Sequence, residues 1–399
     1  MDIAVSEHVP RTETASRLPL SVAFVTETYP PEINGVAHTV SHLVRGLADR
    51  GHDVQVIRPG QGRDDRTVDD AAIPEVVTAG LPIPGYRQLR MGLPAGRRLR
   101  RRWQARRPDV IYIATEGPLG RSALAAARRL SIPVVSGFHT NFDAYTKFYR
   151  VGFIESVVLG YLRRFHNRCQ GTLVPTAELA HSLESKGFQR VAVMARGVDT
   201  ERFQPGHRDA ALRREWGVGD DALAVLFVGR VAAEKNIRLA IAAFEAIEHK
   251  HPGARFVVVG DGPLRQRLQA EYPRFVFRGA RRGLDLARHY ASADLFVFGS
   301  TSETYGNVII EAMASGLPVV CYDYAAGHQH IRPGDNGLLA PLDDAAAFVH
   351  QAVRLAGDRE RAHEIGRHAR TTAEALAWDR ILDRFEEALR TAMDAAHAR

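Results

Sequence analysis

Short apolar runs alternate with longer amphipathic segments through the first 200 residues. Continuous apolar runs bounded by Gly or Pro are typical of strands buried on both faces of a parallel sheet. The intervening segments repeat apolar residues at the spacing of one helix face. The predicted strands are 21–26, 53–59, 109–114, 132–140, 171–176 and 190–197, and the predicted helices are 36–51, 118–130, 156–169 and 178–187. This alternation predicts a doubly wound parallel α/β sheet.

The alternation restarts after 197–209, a turn-rich segment with Pro205 and Gly206 at its centre. Further strands are predicted at 222–230, 255–263, 274–279, 295–298 and 318–321, with helices at 236–251, 284–293 and 308–315, and an amphipathic helix closes the chain. A chain of 399 residues is long enough for two cores. The predicted parts are a flexible leader at 1–19, domains at 20–200 and 201–377, and a terminal helix at 378–399.

The cysteines, the apolar runs, the absent motifs and the net charge limit the classes of protein to which this chain can belong. Cys169 and Cys321 lie in apolar contexts without C-x-x-C spacing, so we expect two buried thiols rather than a disulfide or zinc framework. No apolar run has the length of a membrane span, which predicts a cytoplasmic location. The sequence contains no nicotinamide, P-loop, zinc-protease or serine-hydrolase motif. The net charge of +7 favours anionic partners: phosphorylated substrates, an anionic membrane or nucleic acid.

Two charged segments of the first domain are not predicted to be part of its hydrophobic core. Residues 61–75 carry five acidic residues and are predicted to be a surface excursion: Asp64, Asp65, Asp69, Asp70 and Glu75. Residues 87–107 hold nine arginines and no acid, and on a predicted helix starting near 92–94 only Leu99 and Trp103 form an apolar edge. That helix is either a solvated face or a surface that meets anions.

One stretch, 294–320, combines an apolar strand, a polar loop, an Ala-rich helix and a second strand. Glu303 in the loop and Glu311 in the helix are spaced so that both can face one cleft at the helix N-terminus, where anions bind. A carboxylate would repel a phosphate bound beside it, so its presence there makes sense if it binds hydroxyl groups. Sugars carry such hydroxyl groups. The alternative is two solvated glutamates on an ordinary helix.

The motif S-x-E-T-Y-G-N-V-x-x-E-A-M-A-S-G-L-P-V-V in this stretch closely resembles the donor-binding motif of family 4 retaining glycosyltransferases, which have the GT-B fold. The resemblance implies that Glu311 binds the ribose hydroxyls and that Glu303 binds sugar hydroxyls at the catalytic centre. It also implies backbone contacts to phosphate or sugar at Tyr305, Gly306 and Asn307.

Four further stretches match the family. In Y-P-P-E-I-N-G-V, the loop at Gly35 is implied to close over the donor diphosphate. In G-F-H-T-N-F-D-A-Y, His139 is implied to contact the transferred sugar, although a structural histidine is the plain alternative. Arg230 and Lys235, which follow a strand, are implied to bind the diphosphate. The planar guanidinium of arginine can bond two phosphate oxygens, and the lysine ammonium adds a point charge. Turns at Gly262 and Arg281 are implied to border the nucleobase, without identifying the base.

Aromatic residues after His139 either line an acceptor channel or pack the next helix: Phe142, Tyr145, Phe148 and Tyr149. The H-T-N-F-x-x-Y stretch resembles members that act on lipid acceptors. Seven arginines of the 87–107 tract would then meet an anionic membrane, with Leu99 and Trp103 as a shallow apolar foothold: Arg97, Arg98, Arg100, Arg101, Arg102, Arg106 and Arg107.

The resemblance implies two Rossmann-like domains facing across a cleft, with the terminal helix crossing back to the first domain. We expect a retaining hexosyltransferase that uses a nucleotide sugar, best matched to GDP-mannose, and a lipid or glycan acceptor. No cofactor or metal is expected, since the sequence lacks the D-x-D signature of the other main glycosyltransferase fold. Nucleic acid is not an expected partner. The alternatives are a UDP-sugar-dependent glycosyldiacylglycerol synthase, a UDP-sugar epimerase, and a non-catalytic nucleotide-binding scaffold on a membrane.

Overall fold

The computed structural model describes residues 18–30, 32, 34–60, 65, 73–83, 86–139, 152–219, 221–303 and 305–398. The predicted aromatic lining, Phe142, Tyr145, Phe148 and Tyr149, lies outside these residues. So do 1–17 of the predicted leader and most of the acidic segment.

The first domain is built on a seven-stranded parallel sheet in the order β3-β2-β1-β6-β7-β8-β9. Its strands are β1 (Ser21–Val25), β2 (Asp53–Pro59), β3 (Glu75–Thr78), β6 (Val110–Ile113), β7 (Val134–Gly137), β8 (Gly171–Val174) and β9 (Val191–Val193). The central strands are buried on both faces, as their continuous apolar runs predict. The strand order reverses between β1 and β6, and ligands of such sheets bind beyond the strands' carboxyl ends at such a point.

Five helices are described in this domain: α1 (Gly35–Asp49), α2 (Gly96–Ala105), α3 (Pro118–Arg129), α4 (Gly152–His166) and α5 (Ala177–Ser185). An antiparallel ribbon, β4 (Gly80–Ile83) and β5 (Tyr86–Gly92), precedes α2. The prediction that 61–75 is only a surface excursion was wrong at its end. Glu75 begins β3, and its buried carboxylate lies 2.7 Å from Arg58, which also pairs with Asp65 at 2.9 Å. This edge strand is only four residues long, which hid it.

The arginine-rich helix α2 is anchored in the core, which corrects the predicted apolar foothold. Leu99 and Trp103 are fully buried against the sheet and α3, so neither can enter a membrane. Four of the arginines bind their own domain instead of projecting freely: Arg98 donates to the Val77 carbonyl, Arg102 to Gln55, Arg106 to Asp53 and Arg107 to the Leu130 carbonyl. Long arginine stems can reach such partners while the helix keeps one apolar edge buried.

The second domain has a six-stranded parallel sheet in the order β12-β11-β10-β13-β14-β15. Its strands are β10 (Ala224–Val228), β11 (Arg255–Val259), β12 (Val276–Gly279), β13 (Leu295–Phe298), β14 (Val319–Tyr322) and β15 (Leu338–Ala340). Its helices are α6 (Ala210–Glu215), α7 (Ile237–Lys250), α8 (Arg265–Glu271), α9 (Gly283–Ala291), α10 (Asn307–Ala314), α11 (Ala326–His330), α12 (Ala345–Ala356) and α13 (Arg359–Glu374), with 3₁₀ turns at Pro205–His207 and Ala233–Lys235. Cys169 and Cys321 are buried free thiols, as predicted.

The terminal helix α14 (Trp378–His397) crosses back to the first domain, as predicted. Its Phe385 ring packs edge-on against Tyr112 of β6, with 5.0 Å between centroids. Trp378 stacks on His42 of α1 at 4.4 Å, and Asp383 pairs with Arg50 at 2.8 Å. The domain boundary at 200/201 stays a prediction. Among the described residues, every helix is too short or too polar to span a bilayer.

Candidate active site

The predicted site residues follow the carboxyl ends of strands in both sheets. His139 follows β7, Arg230 follows β10, and the loop of Glu303 follows β13. The two edges meet where the Tyr305 hydroxyl lies 3.3 Å from the carbonyl oxygen of Arg196, a first-domain residue beyond β9. The candidate active site therefore lies between the two domains.

Lys235 and Glu303 form the centre of the second-domain side. Lys235 ends the 3₁₀ turn after β10, and its Nζ lies 2.5 Å from Oε1 of Glu303. The Ser300 hydroxyl donates to the same carboxylate oxygen at 2.8 Å. The two groups assigned from sequence to the diphosphate and the sugar are thus paired with each other in the free protein. Arg230 lies on the surface and pairs with Glu234 at 2.9 Å, where a ligand can compete for it.

The N-terminus of α10 presents backbone N–H groups toward this site. Gly306 has φ +97°. Glycine adopts this conformation readily, whereas any residue with a Cβ atom would be strained there. Among the described residues, no side chain caps α10, so its first N–H groups stay available to a phosphate or a sugar oxygen. The Asn307 Oδ1 atom is buried without a hydrogen-bond partner among the described residues, and a sugar hydroxyl would supply one. The roles of Gly306 and Asn307 remain predictions.

Tyr305 differs in kind from its neighbours in the motif. Its side chain is fully buried, and its hydroxyl contacts both the Arg196 carbonyl and His330, the latter at 2.8 Å. Burial raises the pKa of this phenol well above its usual range, so it remains a donor. The side chain joins the domains, which leaves only its backbone for the predicted ligand contact.

Glu311 lies one helical turn and more inside α10, where the Tyr290 hydroxyl donates to its carboxylate at 2.9 Å. Burial raises the pKa of Glu311 to about 7, against smaller opposing effects of Tyr290 and Arg202. The Glu311 carboxyl group, which is predicted to bind the ribose, is therefore only partly ionised at neutral pH. Hydroxyl donors from a ribose would favour its charged form.

His139 is held at the edge of the first sheet by Tyr112, whose hydroxyl lies 3.1 Å from Nε2. Burial, with the charge of Arg196 as the second cause, lowers the pKa of His139 to about 3. The imidazole is therefore neutral at physiological pH. Among the described residues, its buried Nδ1 atom has no partner, so it could bond a sugar hydroxyl, but the neutral ring does not act as a charged acid.

The predicted nucleobase turns are tightly built. A Cβ atom on Gly262 would lie 2.5 Å from the Val231 carbonyl oxygen, so only glycine fits there. The Arg281 guanidinium donates to the Arg278 carbonyl at 2.9 Å and pairs with Asp285 at 3.2 Å. Arg281 thus stabilises its own turn, and the structure does not assign it a base contact.

Two residues with notable environments were missed from the sequence. Arg196 is 7% exposed, and its Nη1 atom lies 2.8 Å from the point where a Cβ atom of Gly35 would stand. Glu27 follows β1, accepts the Leu119 N–H at 3.0 Å, and has a pKa raised to about 7 by burial. The only sequence signals were a charged residue directly after an apolar strand in each case.

Metal-binding side chains do not gather in this site. Within the described ranges, no three His, Cys, Asp or Glu side chains lie close enough together to hold a metal ion. Metal independence itself remains a prediction for experiment.

Comparisons with known proteins agree with this geometry. The profile of Glycosyltransferase Family 4 matches residues 33–202, and that of Glycosyl transferases group 1 matches 222–358. A GDP-mannose-dependent alpha-mannosyltransferase of Mycobacterium tuberculosis is 37% identical over 84% of this chain and 89% of its own length. An alpha-monoglucosyldiacylglycerol synthase of Acholeplasma laidlawii is 26% identical over 80% of this chain and 84% of its own.

The solved structures agree on the fold. Anabaena HepE in complex with UDP and glucose superposes with a TM-score of 0.72 at 19% identity, covering 93% of this chain and 99% of that one. The sequence relatives cover both domains of the chain, and the facing parallel sheets with a returning helix are those of the GT-B fold. The chain belongs to glycosyltransferase family 4.

Proposed function

We propose that this enzyme transfers mannose from GDP-mannose, with retention of configuration, to a lipid acceptor. The similarity to GDP-mannose-dependent alpha-mannosyltransferases supports the donor. The observation that carries the chemistry is the Lys235–Glu303 pair on the second-domain side of the site. It combines a cation for a leaving phosphate with a carboxylate for sugar hydroxyls in one contact.

The charges of the site favour a mechanism in which the protein stabilises the leaving group. Arg230 and Lys235 would neutralise the negative charge that grows on the departing diphosphate. Glu303 is already bound by a cation, and the pKa of His139, lowered to about 3 by burial, makes its imidazole a weak base, so neither is poised to take the proton. This arrangement suits a front-face reaction in which the leaving phosphate takes the proton of the acceptor hydroxyl.

The first domain offers a surface for a lipid acceptor. A groove of about 990 Å³ lies between α3 and α4, and none of the described residues that line it is acidic. Its six arginines are all exposed: Arg121, Arg128, Arg129, Arg163, Arg164 and Arg168. The groove adjoins a second cavity of about 840 Å³ that contains Glu27 and the apolar side chains of Met91, Val158 and Leu162. We propose that anionic lipid headgroups bind these arginines, beside the predicted α2 tract.

The donor is tested by screening hydrolysis of GDP- and UDP-sugars by the purified enzyme without acceptor. We expect GDP-mannose to be hydrolysed fastest, and addition of membrane lipid extract to divert the mannose into glycolipid. Preference for UDP-glucose would favour the second candidate, a glucosyldiacylglycerol synthase, for which the Acholeplasma relative is the specific observation. Recovery of an altered free UDP-sugar would instead indicate an epimerase.

The membrane surface is tested by co-sedimentation with vesicles that contain anionic lipid. Replacing Arg128, Arg129 and Arg164 with Ser should reduce binding by more than tenfold, because each basic residue near an anionic leaflet contributes about 1 kcal/mol. The matched control replaces three exposed arginines of the second domain, Arg214, Arg267 and Arg354, with Ser. Equal loss in both variants, or equal binding to neutral vesicles, would contradict the assigned surface.

A further inference from the structure

Arg196 is a buried cation, only 7% exposed. Among the described residues, its Nε atom has no hydrogen-bond partner and no carboxylate lies within ion-pair distance. Its guanidinium carbon lies 5.7 Å from the centre of the Tyr305 ring, and its Nη1 atom lies beside Gly35 at the start of α1. Burial is the main cause that lowers the pKa of this guanidinium, with Tyr305 and Glu303 opposing it.

Such an arrangement is costly in the free protein. A buried charge is ordinarily paired or bonded, because removing it from water carries a large desolvation penalty. Here the neighbouring helix terminus adds to the problem, since the N-terminus of α1 also carries partial positive charge. Glu303, whose negative charge favours the charged form of Arg196, is already bound to Lys235. The position therefore has excess positive charge that an anion would balance.

The helix terminus leaves room for that anion. Asn34 caps α1 by accepting the N–H groups of Val36 and Ala37, whereas the N–H of Gly35 has no described acceptor. Gly35 is exposed, and its missing side chain leaves space that the Arg196 guanidinium occupies in part. A bound oxygen at this point could accept from both Arg196 and the Gly35 amide.

We infer that the Arg196 guanidinium completes the diphosphate site already predicted at Gly35, at the start of α1, by binding the terminal phosphate of the leaving nucleoside diphosphate. The inference rests on the proposed function and adds a cation from the first domain to the two from the second. Three positive groups would then face the diphosphate from both sides of the active site, whereas a nucleoside monophosphate would lack the group that reaches Arg196. The Arg196 carbonyl also accepts the Tyr305 hydroxyl, so the same residue joins the phosphate site to the domain junction.

The test compares the affinities of GDP, GMP and inorganic pyrophosphate for the wild-type enzyme and for Arg196→Gln, by calorimetry. We expect Arg196→Gln to lower the affinities for GDP and pyrophosphate at least tenfold, and to change the affinity for GMP by less than threefold. The thermal unfolding midpoint of the free variant should stay level or rise, because an unpaired buried charge has been removed. Arg196→Lys, which keeps the charge but loses the planar fork, should recover part of the GDP affinity.

A purely structural role predicts the opposite pattern. If Arg196→Gln lowered the unfolding midpoint and weakened GDP and GMP equally, or left the GDP-to-GMP ratio unchanged, the anion site would be refuted. Tyr305→Phe serves as the control, since it removes the hydroxyl contact to Arg196 without removing the cation. If the wild-type enzyme binds UDP rather than GDP, the donor proposal fails, and the same comparison with UDP and UMP still tests Arg196.

Discussion

At the scale of single residues, burial decides which groups are charged. Glu311 and His139 were both assigned to the site from the sequence, but their protonation could not be. The surroundings raise the pKa of Glu311 to about 7 and lower that of His139 to about 3. The identities of such residues follow from local motifs, whereas their charges depend first on burial and then on neighbours distant in sequence: Tyr290 for Glu311 and Arg196 for His139.

The first prediction concerns Glu311. Ribose hydroxyls would favour its ionised form, so GDP binding should lower its pKa and release protons near pH 7. The affinity of the wild-type enzyme should accordingly rise from pH 6 to pH 8. Glu311→Gln should weaken GDP binding by roughly 1.5–3 kcal/mol. It should also abolish the part of the proton release that comes from this carboxyl group.

Calorimetry in two buffers with different ionisation enthalpies measures this proton release. The nucleotide's own phosphates titrate identically with both proteins, so the difference between wild type and Glu311→Gln isolates the carboxyl group. Equal proton release and equal affinity in the two proteins would remove Glu311 from the ribose site.

The second prediction separates Lys235 from Glu303. In the free enzyme the carboxylate competes with a diphosphate for the lysine, because the two are 2.5 Å apart. Glu303→Gln should therefore leave GDP affinity unchanged or higher, while turnover falls about 10²-fold. Lys235→Met should lower both, and Arg230→Ala should also lower turnover. Loss of nucleotide binding in Glu303→Gln alone would mean that the two assigned roles are exchanged.

At the scale of elements, the buried central strands were predictable, whereas the edge strand β3 and the ribbon strands were not. The buried runs at β1, β6, β10 and β13 were found because both faces of each strand pack against helices. The ribbon of β4 and β5 and the edge strand β3 were missed, since their pairing depends on partners rather than on their own composition. Helix α2 was found, but counting its arginines around the axis underestimated how firmly Leu99 and Trp103 anchor it.

The third prediction concerns the start of α10. Gly306→Ala should lower the free energy of unfolding by about 1–2 kcal/mol, because φ is +97° and the left-handed region disfavours a Cβ atom. The nearest atom to that Cβ is 3.5 Å away, so strain rather than a clash would be the cause. Urea unfolding followed by tryptophan fluorescence measures the change.

Gly160→Ala is the matched control for this substitution. Gly160 lies inside α4, and nothing lies within 4 Å of its missing Cβ atom. Alanine there should stabilise the helix by up to about 1 kcal/mol. If both variants shifted stability in the same direction, the conformation assigned to Gly306 would be incorrect.

At the scale of the whole molecule, the returning helix α14 ties the end of the chain to the first sheet. Phe385 packs against both Phe24 and Tyr112, and Tyr112 in turn contacts His139. The resemblance predicted this crossing, and the structure confirms it. The contact of Arg196 with the Gly35 and Tyr305 loops could not be read from the sequence, because it joins three segments far apart in the chain.

The fourth prediction follows from this packing. Phe385→Ala should destabilise the protein by about 3–5 kcal/mol, as a large buried side chain is lost. Glu387→Ala, on the exposed face of the same helix, should change stability by less than about 0.5 kcal/mol. Urea denaturation compares the two, and a similar effect of both would show that α14 is not part of the first domain's core.

The central claim is that the enzyme moves mannose from GDP-mannose with retention and without a metal. The most direct measurement is proton NMR of the first product formed from GDP-α-mannose and a lipid acceptor, in the presence of EDTA. We expect a new α-mannoside, formed at an undiminished rate in EDTA and at a strongly reduced rate by Arg230→Ala. A β-mannoside, or activity lost in EDTA and restored by manganese, would contradict it.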